Sequence, residues 1–189
     1  EIDEKNLLLS YLAINMKMRT GQNDSALRQL VNLGERKDFY PFAYLDYLKG
    51  ECLLRKLELK DAPGFYNQFI NEYRGRNFIK DAFRKQAWAA FLEGDTLIYR
   101  QMMEKVVVNG CLDVDIDKEA ELEASLKEIP NVELLKARLL YDGGYFAEAK
   151  YILQNINTQK LPLVFQVEHD YRLARIFHDT GNWEEARLY

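Results

Sequence analysis

Glu133-Leu-Leu-Lys-Ala-Arg-Leu-Leu-Tyr-Asp-Gly-Gly-Tyr-Phe-Ala-Glu-Ala-Lys150 reads as a helix, a two-glycine turn and a second helix. The same pattern returns at Tyr171-Arg-Leu-Ala-Arg-Ile-Phe-His-Asp-Thr-Gly-Asn-Trp-Glu-Glu-Ala-Arg187. Ala137 then falls on Ala174, Gly144 on Gly181, Phe146 on Trp183 and Ala149 on Ala186, a constant spacing of 37. A helical hairpin recurring at a fixed period of this size is the mark of a repeat array, because one hairpin alone cannot bury its apolar face.

Outward from that stretch, every hairpin keeps one internal measure. A small or apolar residue in its first helix precedes a second-helix residue by 12: Ile14 to Ala26, Gly50 to Ala62, Ala87 to Tyr99, Ala137 to Ala149, Ala174 to Ala186. Small side chains at such a crossing let two helices approach closely. The spacing predicts hairpins at about 6–34, 41–73, 77–108, 131–157 and 163–189. Lys37 to Pro41 breaks the pattern before the second, and Asp61 before Pro63 is the expected N-cap of that hairpin's second helix. The first hairpin's second helix draws its apolar face from Leu27, Leu30, Val31 and Leu33. An added helix is expected at about 117–129, with Asp117 as its cap and Leu122, Leu126 and Ile129 as its apolar face.

Composition agrees with a helical, surface-rich fold. The chain has 189 residues, 48% hydrophobic and 30% charged, with only four prolines to interrupt helices. A net charge of −4 argues against general nucleic-acid affinity, which needs Lys and Arg to neutralise phosphates. The basic run from Arg74 to Lys85 is read as a solvated helix face. No apolar run approaches the ~18–20 residues of a membrane span. The chain begins with Glu1 and carries no signal-like segment, so it is read as one α-solenoid domain, 1–189, either excised from a longer protein or a mature product. Its compartment is not readable.

These residues resemble the tetratricopeptide repeat family: a small residue in the first helix, Gly in the turn, an aromatic after it, then Ala in the second helix. Gly144, Phe146 and Ala149 carry the likeness, as do Gly181, Trp183 and Ala186. The period of 37 exceeds the family's roughly 34, the Trp early in the first helix is absent, and Leu57 stands where the second hairpin's turn Gly is expected. The resemblance implies an all-α, right-handed superhelix of about five hairpins plus one inserted helix, with first helices lining a concave groove. Groove positions carried over from the family include Tyr47, Arg84, Trp88, Arg138, Tyr141, Tyr171, Arg175 and His178. Others are Arg19, Tyr44, Glu51, Leu54, Arg55, Asp142 and Asp179. The implied role is a non-enzymatic scaffold binding a protein or peptide segment, acidic in character because Arg pairs bidentately with carboxylates. A sensory or regulatory segment of a larger multidomain protein is the alternative. For Arg138 and Arg175 a second reading stays open, namely i, i+4 pairs with Asp142 and Asp179 that only solvate the helix face.

No motif supports catalysis, a cofactor or a metal. His169 and His178, nine residues apart on one helix, point about 180° apart. Neither Cys52 nor Cys111 sits in a CxxC or beside a histidine. Asp113-Val-Asp-Ile-Asp117 lacks the Gly and Glu that a calcium loop needs at its sixth and twelfth positions.

Overall fold

The computed structural model describes residues 4–33, 41–126 and 129–189. The break expected at Lys37 to Tyr40, the end of the first hairpin at Gly34, and Lys127 and Glu128 of the added helix lie outside the described residues. Among the described residues there are eleven α-helices and no strand. They are α1 (Glu4–Arg19), α2 (Asn23–Leu33), α3 (Leu45–Arg55), α4 (Ala62–Glu72), α5 (Ile79–Leu92), α6 (Thr96–Val108), α7 (Asp115–Leu126), α8 (Val132–Asp142), α9 (Phe146–Gln154), α10 (Leu163–Asp179) and α11 (Trp183–Ala186). Short 3₁₀ turns occupy Phe42–Tyr44 and Thr158–Lys160. The helices pack in neighbouring pairs, α1 on α2, α3 on α4, α5 on α6, α8 on α9 and α10 on α11, while α7 lies against α5 and α6.

The tight turn of each pair uses one left-handed residue: Gly21 (φ +71°), Leu57 (φ +61°), Gly94 (φ +90°), Gly144 (φ +83°) and Gly181 (φ +79°). Leu57 therefore takes up the glycine conformation in the one turn that lacks the glycine. A leucine there carries backbone strain, and its half-buried side chain touches both apolar clusters of the molecule. At the helix crossings Ile14, Ala26, Ala62, Ala87, Ala137 and Ala149 are fully buried. Ala174 and Ala186, in the last pair, are only half-buried. A methyl on Gly50 would meet the Tyr66 ring at 3.0 Å, which is why that crossing carries no side chain at all.

Three local expectations are corrected. Asp61 stands at the N-cap of α4, but its side chain makes no capping hydrogen bond. Val31 points outward, leaving Ala26 and Leu30 as the buried residues of α2 with Asn23. In α7 the apolar Leu122, Leu126 and, just beyond it, Ile129 are 60%, 57% and 51% exposed. The face that packs is Asp117, Ala120 and Ala124. Asp117 does not cap its own helix. Its carboxylate accepts from the N–H of Phe78 at 2.6 Å and of Asp81 at 3.0 Å, closing the N-terminus of α5. Small alanines let α7 come close enough for that cap to form.

The buried side chains form two clusters, one from α1 to α7 joined by Leu135 and Leu139 of α8, the other from α8 to α11. Helix α8 also packs on α3 and α5. The turns of the first and fourth pairs meet backbone to backbone, where Cβ on Gly144 would stand 2.0 Å from the Gly21 carbonyl oxygen. Beside this contact the Tyr145 hydroxyl donates to Asp24 at 3.0 Å and accepts from the Asn23 amide at 3.1 Å. This junction sets the walls of the cleft described next.

Candidate functional site

Helices α8 and α10 present matching residues because they are one period apart. A cleft of about 390 Å³ between them is lined by Arg138, Tyr141 and Asp142 from α8 and by Tyr171, Arg172 and Arg175 from α10. It adjoins a cleft of about 640 Å³ that shares Tyr141, Asp142 and Arg175 and adds Arg19, Thr20, Gly21, Arg55, Phe146 and Asp179. Five arginines thus face two aspartates, on a chain whose net charge is −4. Two of the five are already paired, Arg55 with Glu51 at 3.2 Å and Arg172 with Glu168 at 2.6 Å.

Several of these groups hold one another in place. Tyr141 O–H donates to Asp179 Oδ2 at 2.5 Å, and Arg175 Nη1 donates to the Tyr171 hydroxyl at 3.1 Å. Burial, reinforced by the bond to Asp179, pushes the Tyr141 phenol up to about 12. The same bond, aided by His178, keeps the Asp179 carboxyl below its ordinary range. The Arg175 guanidinium lies 5.8 Å from the Tyr141 ring and 6.0 Å from the Tyr171 ring, and 3.9 Å from Asp179. The intrahelical Arg–Asp pair therefore forms in α10, at the outer limit of an ion pair. In α8 it does not: Arg138 instead stacks over Trp88, 4.8 Å from the ring. Among the described residues no carboxylate lies within ion-pair distance of Arg138. A guanidinium held at a ring in this way can still pair with a carboxylate.

The other carried-over positions divide by depth. Arg19, Arg55, Asp142 and Asp179 line the larger cleft. His178 is exposed, with Nδ1 2.8 Å from Asp179 Oδ1 and its ring edge-on to Trp183. Tyr47, Arg84 and Trp88 are only 3%, 3% and 2% exposed, so they do not stand on an open groove. Tyr44, Glu51 and Leu54 are buried as well. The physical reason is that α7 packs against α5 and α8 packs against α3 and α5, filling the space that hairpin repetition alone leaves open.

What fills that space is a polar core the sequence reading missed. Tyr47 O–H donates to Asp81 at 2.5 Å, and Arg84 Nε donates to the same carboxylate at 2.9 Å. Arg84 also reaches Glu123 of α7, whose other oxygen accepts from Trp88 Nε1 at 2.7 Å. Glu51 accepts from Lys85, from Tyr66 at 2.9 Å and from Arg55 at 3.2 Å. Burial alone raises the Glu51 carboxyl, but Lys85 and Arg55 outweigh it and bring it down to about 2. Every one of these buried charges is partnered, as burial demands. The basic run from Arg74 to Lys85, read from sequence as a solvated helix face, is corrected here: its Lys80, Arg84 and Lys85 are buried on α5.

Neither cysteine forms a disulfide; Cys52 is buried, which pushes its thiol up to about 12 and leaves it unreactive. His169 is buried, with Nε2 3.0 Å from the Leu153 carbonyl oxygen. Among the described residues no cluster of His, Cys, Asp and Glu has the arrangement to hold a metal, and no helix is long and apolar enough to cross a membrane. No protein-family model, curated protein or solved structure matches this chain.

Proposed function

We propose that this chain is a non-enzymatic binding module, a degenerate tetratricopeptide-like right-handed solenoid whose α8–α10 cleft takes an acidic peptide or protein segment. The observation that carries the reading is the convergence of Arg138 and Arg175 with Tyr141 and Tyr171 on one cleft. Charge-assisted bonds to Arg are about twice as strong as neutral ones. Tyrosine walls add contact area at low entropic cost and exclude water from those bonds. The five repeated pairs and their shared left-handed turns support the solenoid assignment. The assignment as non-enzymatic rests on a sequence without a nucleophile–base or metal-ligand pattern.

A second reading draws on where the cleft lies. Arg19 and Arg55 come from the part of the chain that builds the first apolar cluster, Tyr141 and Arg175 from the second. A ligand spanning them would tie the two clusters together, which suits a regulatory segment that relays binding to the rest of a larger protein.

Selection from a random peptide library against the immobilised protein tests the proposal. Enrichment of Asp- and Glu-rich or carboxylate-ended sequences, lost when Arg138→Ala and Arg175→Ala are combined, is expected. Equal capture by both proteins would show that the arginines only solvate the wall.

A further inference from the structure

The turn out of α6 holds the only asparagine in the chain that precedes a glycine, Asn109-Gly110. Such a pair can close a ring on itself. The backbone nitrogen of the glycine bonds to the side-chain amide carbon of the asparagine, and glycine brings no Cβ to obstruct the closure. The fold requires this glycine for another reason. Gly110 is left-handed (φ +79°), and a Cβ on it would stand 3.0 Å from Lys80 Cγ and 3.2 Å from the Arg76 carbonyl oxygen. Any larger residue would therefore press on the start of α5.

A helix protects such a pair by holding ψ at about −42° and by engaging the N–H that must attack. The chain supplies the protected case itself. Asp142-Gly143, the one aspartate that precedes a glycine, can close the same ring. Asp142 ends α8, however, and the Gly143 N–H donates to the carbonyls of Leu139 and Leu140 at 3.1 Å. Asn109 is the opposite case. It lies just past α6 with extended backbone (φ −115°, ψ 164°). Among the described residues the Gly110 N–H has no hydrogen-bond partner. Two exposed hydrogen bonds tie the pair: Asn109 Nδ2 donates to the Lys105 carbonyl at 2.8 Å, and Arg76 Nη2 to the Gly110 carbonyl at 2.7 Å. Opening exposed bonds at a helix end takes only a local fluctuation.

We propose that Asn109 is a site of spontaneous modification, converted in the folded protein to isoaspartate and aspartate with water as the co-reactant. The Gly110 nitrogen bonds to Asn109 Cγ and gives up its proton. The Cγ–Nδ2 bond breaks, and the departing nitrogen takes up a proton and leaves as ammonia. Water then opens the ring. Adding at the main-chain carbonyl carbon, it breaks that carbon's bond to the Gly110 nitrogen and leaves isoaspartate; adding at Cγ, it breaks the new bond and leaves aspartate. Either product replaces the amide that donates to the Lys105 carbonyl by a carboxylate, set at the negative end of the α6 dipole. Isoaspartate also runs the backbone through an extra carbon on the way to α7, whose Asp117 caps α5. The site shares no residue with the α8–α10 cleft, so it stands independently of the proposed function.

Peptide mapping by mass spectrometry tests it, on the full chain incubated at mildly alkaline pH both folded and unfolded in guanidinium chloride. Each site is its own control, because its folded rate is read against its unfolded rate. At Asn109 the folded rate is expected within about tenfold of the unfolded one, as a freely opening site requires. At Asp142 folding should slow the isomerisation by far more than that, because α8 must open first. Isoaspartate should outweigh aspartate at position 109, and the rate should rise with pH as the Gly110 nitrogen loses its proton. A folded Asn109 slower than the unfolded one by more than about tenfold overturns the proposal, since the fold then protects it. Equal slowing at Asn109 and Asp142 overturns it too, because the unengaged N–H would make no difference. Aspartate without isoaspartate would mean direct hydrolysis of the side chain, with no ring formed.

Discussion

Replacing Gly144 by alanine should loosen the junction between the two halves of the molecule, and the structure gives both the size of the effect and its control. Two costs coincide at this residue. Its φ of +83° is left-handed, which costs an alanine about 1–2 kcal/mol, offset by roughly 0.4–1 kcal/mol from a stiffer unfolded chain. Its Cβ would also stand 2.0 Å from the Gly21 carbonyl oxygen. Both partners are backbone, so the two turns must separate by about an ångström, an overpacking of roughly 1–3 kcal/mol. Together these predict a loss of about 2–4 kcal/mol. At about 2–4 °C per kcal/mol for a chain of this size, thermal unfolding followed by circular dichroism should shift down by roughly 5–15 °C. Gly94→Ala is the control: its φ is +90° and nothing lies within 4 Å of its added methyl. It carries the conformational cost alone, about 1 kcal/mol or less. If Gly144→Ala melts at the temperature of Gly94→Ala, the turn-to-turn contact does not hold the junction and the reasoning fails.

Ala149→Leu should overpack its crossing with Ala137, both fully buried, at about 1–3 kcal/mol; unchanged denaturant midpoints would count against that crossing. Leu57→Gly should be more stable than Leu57→Ala by about 0.5–1 kcal/mol, since only glycine escapes the left-handed cost at φ +61°. In an ordinary helical position the order is the reverse, so the sign alone decides. Glu51, held near 2 by Lys85 and Arg55, contributes stability that is present above its ordinary carboxyl range and lost as pH falls toward 2. Urea unfolding of wild type and Glu51→Gln should therefore show a gap of roughly 3–5 kcal/mol at neutral pH that narrows by pH 2.5; a gap independent of pH would place the pair outside the core.

The hairpins were legible because they rest on local signals. Glycine after a helix, proline at a start and a small residue every repeat each dictate geometry within a few residues. The cleft was legible for the same reason, because Arg138 and Arg175 share a repeat position and a repeat brings equivalent residues side by side. The interior was not. Tyr47, Arg84 and Trp88 occupy positions that face outward in an open array, and only the packing of α7 and α8 over α3 and α5 turns them inward. That packing joins residues 35–39 positions apart, such as Trp88 to Glu123 and Phe78 to Asp117, and no periodic pattern announces it. Helix α7 misled for a related reason. Its apolar leucines obey helical spacing, yet its contacts are chosen by alanines and by one aspartate that another helix needs as a cap.

The account stands most directly on the affinity of an acidic peptide, taken from the library selection, for wild type and for the Arg138→Ala/Arg175→Ala double variant. Titration calorimetry at two salt concentrations measures it. A hydrogen bond to a charged group is worth about 1.5–3 kcal/mol, so losing both arginines should weaken binding by on the order of a hundredfold or more, with helicity unchanged. Wild-type affinity should fall as salt rises, and the residual affinity of the variant should depend on salt less steeply. An affinity that survives both substitutions, or one indifferent to salt in the wild type, would contradict the assignment of this cleft as the binding site.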